Sequence, residues 1–202
     1  MQRDSWYAIQ RAYARLESPE SVGSEAARRT LRRLGACKVS TCKAPVIFDQ
    51  EMAGSLLGNL CGALSGYALY KGTSFLTGQL GHKIAPESVT VYDDGRMPRG
   101  FGPRPFDGEG LPTRKTPMVE RGILKSYLLD TYSGRKLGLA STGNASRSVG
   151  ESPSAGPTNF YLVPGTVPPS DIIRSVTRGL YVTELIGFGI NMVTGDYSRG
   201  AA

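Results

Sequence analysis

The chain has 202 residues, 40 % of them apolar, and a formal net charge of +7. That length holds one good-sized domain or two small ones. No apolar run approaches the roughly 18 residues of a membrane-spanning helix. The opening MQRDSWYAIQ is too charged and polar to read as a secretory leader. Three cysteines, Cys37, Cys42 and Cys61, are too few for a disulfide scaffold and lack paired metal-ligand spacing, so reduced thiols and a cytoplasmic setting are expected.

The charge is uneven. Residues 1–43 carry nine Lys/Arg against four Asp/Glu, and residues 44–202 carry fifteen against thirteen. The excess is one N-terminal segment holding Arg28, Arg29, Arg32, Arg33, Lys38 and Lys43. No aromatic residues interleave with these, so a solvated helix face is favoured over a nucleic-acid surface.

Residues 1–20 hold Trp6, Tyr7 and Tyr13 in a mixed, charged setting that could be helical, but as a free end they are expected to be poorly ordered. Residues 21–34 predict a helix with a weak stripe of Val22, Ala26, Leu31 and Leu34, ended by Gly35. Ala44–Phe48 (APVIF) predicts a short buried strand. It feeds Asp49–Tyr70, whose apolar residues Met52, Leu56, Leu57, Leu60, Cys61, Leu64 and Ala68 recur at helical spacing. Asp49 can cap its first turn, and Glu51 suits the positive end of the helix dipole. Gly54, Ser55, Gly58, Gly62, Ala63, Ser65 and Gly66 make the other faces small, which predicts close packing or a chain lying along them.

Lys71–Gly81 predicts a Gly-punctuated turn, and Val89–Tyr92 a strand ended by Asp93, Asp94 and Gly95. Residues 96–112 predict a long loop containing RPFDGEG (Arg104–Gly110); a loop of this length is usually functional. Pro117–Glu120 and Ile123–Leu129 predict a hairpin turning at Arg121-Gly122. Residues 131–138 predict a turn of helix and 140–157 a flexible polar loop. Asn159–Val163 predicts a strand. Ser170–Arg178 predicts a short helix with Ile172, Ile173 and Val176 inward. Leu180–Ile186 and Gly189–Val193 predict two last strands. The pattern is α+β.

Few residues here can do chemistry. His82 is the sole histidine, which excludes a His-dependent triad or a multi-His metal site within this chain. Cys61 lies on the apolar stripe, as a core thiol would. Asp107 and Glu109, with Arg104 alongside, could grip a peptide backbone or a metal, or could order their own loop through Arg–carboxylate bonds. Residues 95–110 are Gly-rich but lack phosphate-loop spacing. Arg199, next to Tyr197 and Ser198, could bind a carboxylate. No complete active site emerges.

KGTSFLTGQLG, RPFDGEG, LLDTYSGRKLG with STGNA, NFYLVPG and GLYVTELIGFGINMVTGDYSRGAA resemble, in order, the TldD/TldE (PmbA) metallopeptidase family, and most closely its TldE/PmbA branch. The resemblance covers about residues 21–202; residues 1–20 fall outside it. It implies a cytoplasmic two-subunit zinc peptidase acting on unfolded or peptide substrates. The TldD-like subunit would carry HExxxH on the helix before its own GTS segment, its two His binding zinc and its Glu activating water. Set on Gly72–Gly81, that motif falls at Gly58, Asn59 and Ala63 here, none of them a zinc ligand or a base.

The expectation is therefore a TldE/PmbA-like partner with no catalytic and no metal residue of its own, its zinc supplied by the TldD-like subunit. Residues 21–202 would form a truncated C-terminal domain. Its fold would be a curved, partly barrel-like, mostly antiparallel sheet flanked by the 49–70 helix, with the closing strands and an N-terminal domain absent. Arg104, Asp107, Glu109, Tyr197 and Arg199 are the candidate chamber or interface residues. The rivals are an independent peptidase with an unrecognised site, and a basic nucleic-acid-binding or gyrase-modulating protein.

Overall fold

The computed structural model describes residues 1–202. They divide into two units, Met1–Lys43 and Ala44–Ala202.

The first unit holds a 3-10 turn, Tyr13–Arg15, and helix α1, Pro19–Leu31. Ser18 caps α1 by accepting the Ser21 N–H, and Pro at the first helical position needs no partner for its missing donor. Arg28 and Arg29 sit in the last turn, where positive charge suits the helix dipole. Arg29 is buried; it reaches Asp4 at 3.2 Å and lies 5.3 Å from the Trp6 ring centre. Arg33 also approaches Asp4, at 3.6 Å. Part of the basic cluster is thus engaged within its own unit.

In the second unit, strand β1 (Val46–Phe48) leads into helix α2 (Gln50–Ala63). Asp49 Oδ1 accepts the N–H groups of Glu51 and Met52, at 3.1 and 3.0 Å, as its sequence position predicts. Leu57, Leu60, Cys61, Ala63 and Leu64 pack on the core. The small-residue face meets less than expected. A Cβ at Gly54 or Gly58 would find nothing within 4 Å.

The predicted 49–70 helix is two helices. It stops at Leu64, and α3 (Gly66–Tyr70) begins after Ser65. The break lets the backbone bridge a distant segment: Gly66 N–H donates to Leu128 O at 2.8 Å and Leu128 N–H to Leu64 O at 3.0 Å. Gly66 is required there, because a Cβ would stand 2.2 Å from Ser133 Oγ.

The main sheet has four antiparallel strands: β2 (Val91–Asp94), β3 (Lys115–Glu120), β4 (Ile123–Leu124) and β7 (Phe160–Leu162), in the order β4-β3-β2-β7. The β3–β4 hairpin turns at Arg121 and Gly122, both with positive φ (47° and 78°), which the two-residue turn demands. Leu64, Leu69, Leu76, Val91, Met118, Val119, Leu124, Leu128 and Leu129 form the core beneath it. The predicted second hairpin strand is shorter than expected: past Leu124 the N–H groups of Lys125 and Ser126 share one β3 acceptor, Met118 O, and Leu128 pairs instead with Leu64 and Gly66.

Helix α4 (Thr131–Leu137) starts at a capping box between Asp130 and Ser133 and ends at Gly138, with φ of 68°. Strands β5 (Ala145–Ser146) and β6 (Ser154–Ala155) pair within the predicted flexible loop. Helix α5 (Pro169–Arg174) buries none of its residues, so Ile172 and Ile173, predicted inward, stay 43 % and 44 % exposed. Strand β8 (Leu180–Val182) pairs in parallel with β1. Strand β9 (Leu185–Ile186) pairs with β10 (Gly200–Ala201), and 189–193 forms no strand beyond one bridge, Ile190 to Tyr197.

The α+β reading stands, but the curved, partly barrel-like sheet does not. The strands form separate sheets of four, two, two and two, and none closes on itself. Closure needs the outer strands of one sheet to bond each other. Here β4 and β7 are opposite edges with no pairing between them, and β1–β8 is parallel and stands apart.

Candidate functional site

The RPFDGEG loop is ordered, though not by the arginine–carboxylate bonds its sequence allows. Asp107 is buried. Its Oδ1 accepts the N–H groups of Glu109 and Leu111, both at 2.9 Å, and its Oδ2 accepts the Ala145 N–H at 3.0 Å. It therefore clips the loop to β5. Glu109 Oε2 accepts from Thr131 twice, from the N–H at 2.8 Å and from the hydroxyl at 2.6 Å, which fastens the loop to the start of α4. Arg104 pairs with neither carboxylate; its Nε and Nη2 are shielded from solvent and have no partner.

A second carboxylate does similar work nearby. Asp93, buried in β2, accepts from the Thr158 N–H (2.7 Å), the Thr158 hydroxyl (2.9 Å) and Asn144 Nδ2 (2.6 Å). Asp93 thus holds both ends of residues 144–158, and Asp107 fixes Ala145 beside the first.

Tyr197 and Arg199 are brought together with each other. The Arg199 guanidinium lies 5.6 Å from the Tyr197 ring centre and donates to the Gly187 carbonyl. No hydrogen bond or ion pair links them to Arg104, Asp107 or Glu109.

The loop opens on a cavity of ≈ 460 Å³, within the size range of small-ligand sites. Tyr67 and Tyr70 of α3, Tyr132 and Ser133 of α4, Glu109, Asp130 and residues 152–155 form its wall. The tyrosines meet edge to face, with ring centres 5.5 Å apart for Tyr67–Tyr70 and 5.7 Å for Tyr70–Tyr132. Desolvation first, then Tyr132, Tyr67 and Asp130, raises the pKa of the Tyr70 phenol, while Lys136 opposes the shift. Of the residues expected from the sequence, only Glu109 lines this cavity. The signal for the others was thin: Tyr67 and Tyr70 stand three apart on a helix, and Tyr132 lies far along the chain.

A second cavity, ≈ 560 Å³, lies beside β4 and is lined by Lys83, Glu87, Glu120, Arg121 and Lys125 among others. Its charges are of both signs, and Arg121 pairs with Glu87 across it.

Residues 41–202 match a family model described as the PmbA/TldA metallopeptidase C-terminal domain. The chain belongs to the TldD/TldE (PmbA) metallopeptidase family. It is 43 % identical over 202 residues to the metalloprotease PmbA of Escherichia coli O157:H7, spanning all of this chain and 43 % of that protein. The crystal structure of a Bacteroides thetaiotaomicron protein, described as a candidate modulator of DNA gyrase, superposes with a TM-score of 0.87 at 31 % identity, over 97 % of this chain and 42 % of that one. TldE from Thermococcus kodakarensis gives a TM-score of 0.72 at 29 % identity, over 90 % of this chain and 45 % of the other. The chain thus spans less than half the length of each of these relatives.

A metallopeptidase family implies a metal, and the donor set of α2 does not fit one. Gly58 and Ala63, set against the histidines of HExxxH, have no donor atom. Asn59, set against the glutamate, is an amide whose Nδ2 is shielded and unpartnered. Cys61 is a lone thiol whose pKa desolvation, and secondarily Asp93, pushes up to about 11. No group of three or more His, Cys, Asp or Glu side chains is placed to hold a metal ion. His82 is exposed in the turn before Lys83. No helix is long and apolar enough to cross a membrane.

Proposed function

We propose that this chain acts as the TldE/PmbA-like, non-catalytic part of a cytoplasmic two-subunit zinc peptidase. A TldD-like partner supplies the zinc and the base, and this chain contributes to assembly and to the wall of the chamber that holds a peptide or unfolded substrate. Arg104, Asp107 and Glu109, with Tyr197 and Arg199, act at the chamber wall or the subunit interface. The observation that carries the reading is α2: where a zinc peptidase of this family needs His, Glu and His, the helix offers Gly58, Asn59 and Ala63. The 43 % identity to a protein named PmbA supports the branch.

The test is reconstitution. The chain is co-expressed with a TldD-like subunit, and hydrolysis of an unfolded protein is followed with and without chelator. Co-purification, with chelator-sensitive turnover confined to the pair, is the expected result. Stoichiometric zinc and turnover in this chain alone would sink the proposal.

A further inference from the structure

The cavity between α3, α4 and residues 152–155 combines three features. Its floor is aromatic: Tyr67, Tyr70 and Tyr132 present a contiguous run of rings. Its wall holds two carboxylates, Glu109 and Asp130, and no cationic side chain. Each carboxylate keeps one oxygen free. Glu109 binds Thr131 through Oε2 alone, leaving Oε1 without a partner. Asp130 is 4 % exposed and binds Ser133 through Oδ1 alone, leaving Oδ2 without one.

Both oxygens reach solvent rather than being shut away, and a carboxylate oxygen that no protein donor claims can accept charge-assisted hydrogen bonds from a bound cation. Tyrosine faces attract the same ligand through their ring quadrupoles. The neighbourhood already shows that attraction: the ammonium groups of Lys71 and Lys136 lie 5.7 and 5.6 Å from the Tyr70 and Tyr132 ring centres. Both lysines are exposed and neither lines the cavity. Among cations a guanidinium fits best. It is planar, stacks on rings, is weakly hydrated, and carries donors enough for two separate carboxylates.

We propose that this cavity is a pocket for the arginine side chain of a peptide. The pocket deepens the peptidase-subunit reading and rests on it for its biological role: it would fix the register of a substrate, with the neighbouring residues of the peptide lying across 152–155.

The test is a binding measurement on the full chain, without any partner. Two blocked tripeptides, acetyl-Gly-X-Gly-amide with X either arginine or the neutral isostere citrulline, are titrated by calorimetry at low salt. The arginine peptide is expected to bind about tenfold more tightly than the citrulline peptide, and added salt is expected to narrow the gap. Tyr132→Leu, at a half-exposed ring, and Glu109→Gln, which keeps an acceptor for Thr131, are each expected to weaken the arginine peptide about fivefold and leave the citrulline peptide unchanged. Circular dichroism confirms that the variants are folded. Equal affinity for the two peptides, no binding of either up to about 10 mM, or arginine binding unmoved by both folded variants would each overturn the proposal. Reconstituted peptidase activity without arginine discrimination removes the pocket alone. Arginine capture without assembly or turnover supports the pocket and removes the subunit reading.

Discussion

Cys61 shows how one side chain's setting limits its chemistry. The thiol sits on the packed side of α2, and desolvation, aided by Asp93, raises its pKa to about 11. A raised thiol pKa leaves less thiolate at any given pH, and the thiolate is the species that reacts or binds metal. At pH 8, iodoacetamide is therefore expected to modify the exposed Cys37 and Cys42 at least about tenfold faster than Cys61. In denaturant the three rates should converge, and in the folded chain Cys61 should gain reactivity only as pH climbs toward about 11. Peptide mass spectrometry reads this directly; a Cys61 that labels as fast as the other two would contradict the burial. Asp107 shows the reverse case. Its sequence neighbours suggested an ion pair with Arg104, yet three backbone N–H groups claim its oxygens. Two of them lie within four residues, but the third belongs to Ala145, and nothing near Asp107 in the sequence points there.

At the scale of the element, α2 was legible because its signals are local: an apolar stripe at helical spacing, and Asp49 before the first turn. The break after Leu64 was not, because its cause lies elsewhere. Gly66 is pressed against Ser133 and Leu129, so the chain leaves the helix to bridge Leu128. Gly66→Ala puts a Cβ 2.2 Å from a serine oxygen that the Asp130 capping box holds in place. The expected cost is about 2 kcal/mol, seen as a fall of roughly 4–8 °C in the unfolding midpoint. Gly58→Ala, with open space around it, should be neutral or slightly stabilising. Equal melting of the two variants would show that the contact at Gly66 relaxes freely. The STGNASRS segment taught the same lesson. It reads as a polar loop, but acceptors on Asp93 and Asp107, up to 51 residues away, give it a strand pair and a buried Asn144.

For the molecule as a whole, five motifs in order were enough to reach the family, since each is a local string. The sheet arrangement was out of reach, because it depends on which distant edges meet. The division into two units has a measurable consequence. Residues 34–43 are exposed throughout and carry no helix or strand, and Lys38 and Lys43 lie within them. Brief trypsin treatment of the native chain is expected to cut there first, releasing a fragment that starts at Val39 or Ala44. First cuts inside 91–162 would show instead that the four-stranded sheet opens more readily than the linking segment.

The parallel pairing of β1 with β8 sets a timetable for biosynthesis. Val46, Ile47 and Phe48 meet Leu180, Tyr181 and Val182, so this strand emerges from the ribosome long before its mate has been translated. Until then an apolar edge is open to any other nascent strand. A chaperone that covers Val46–Phe48 over that interval would keep the edge from pairing wrongly.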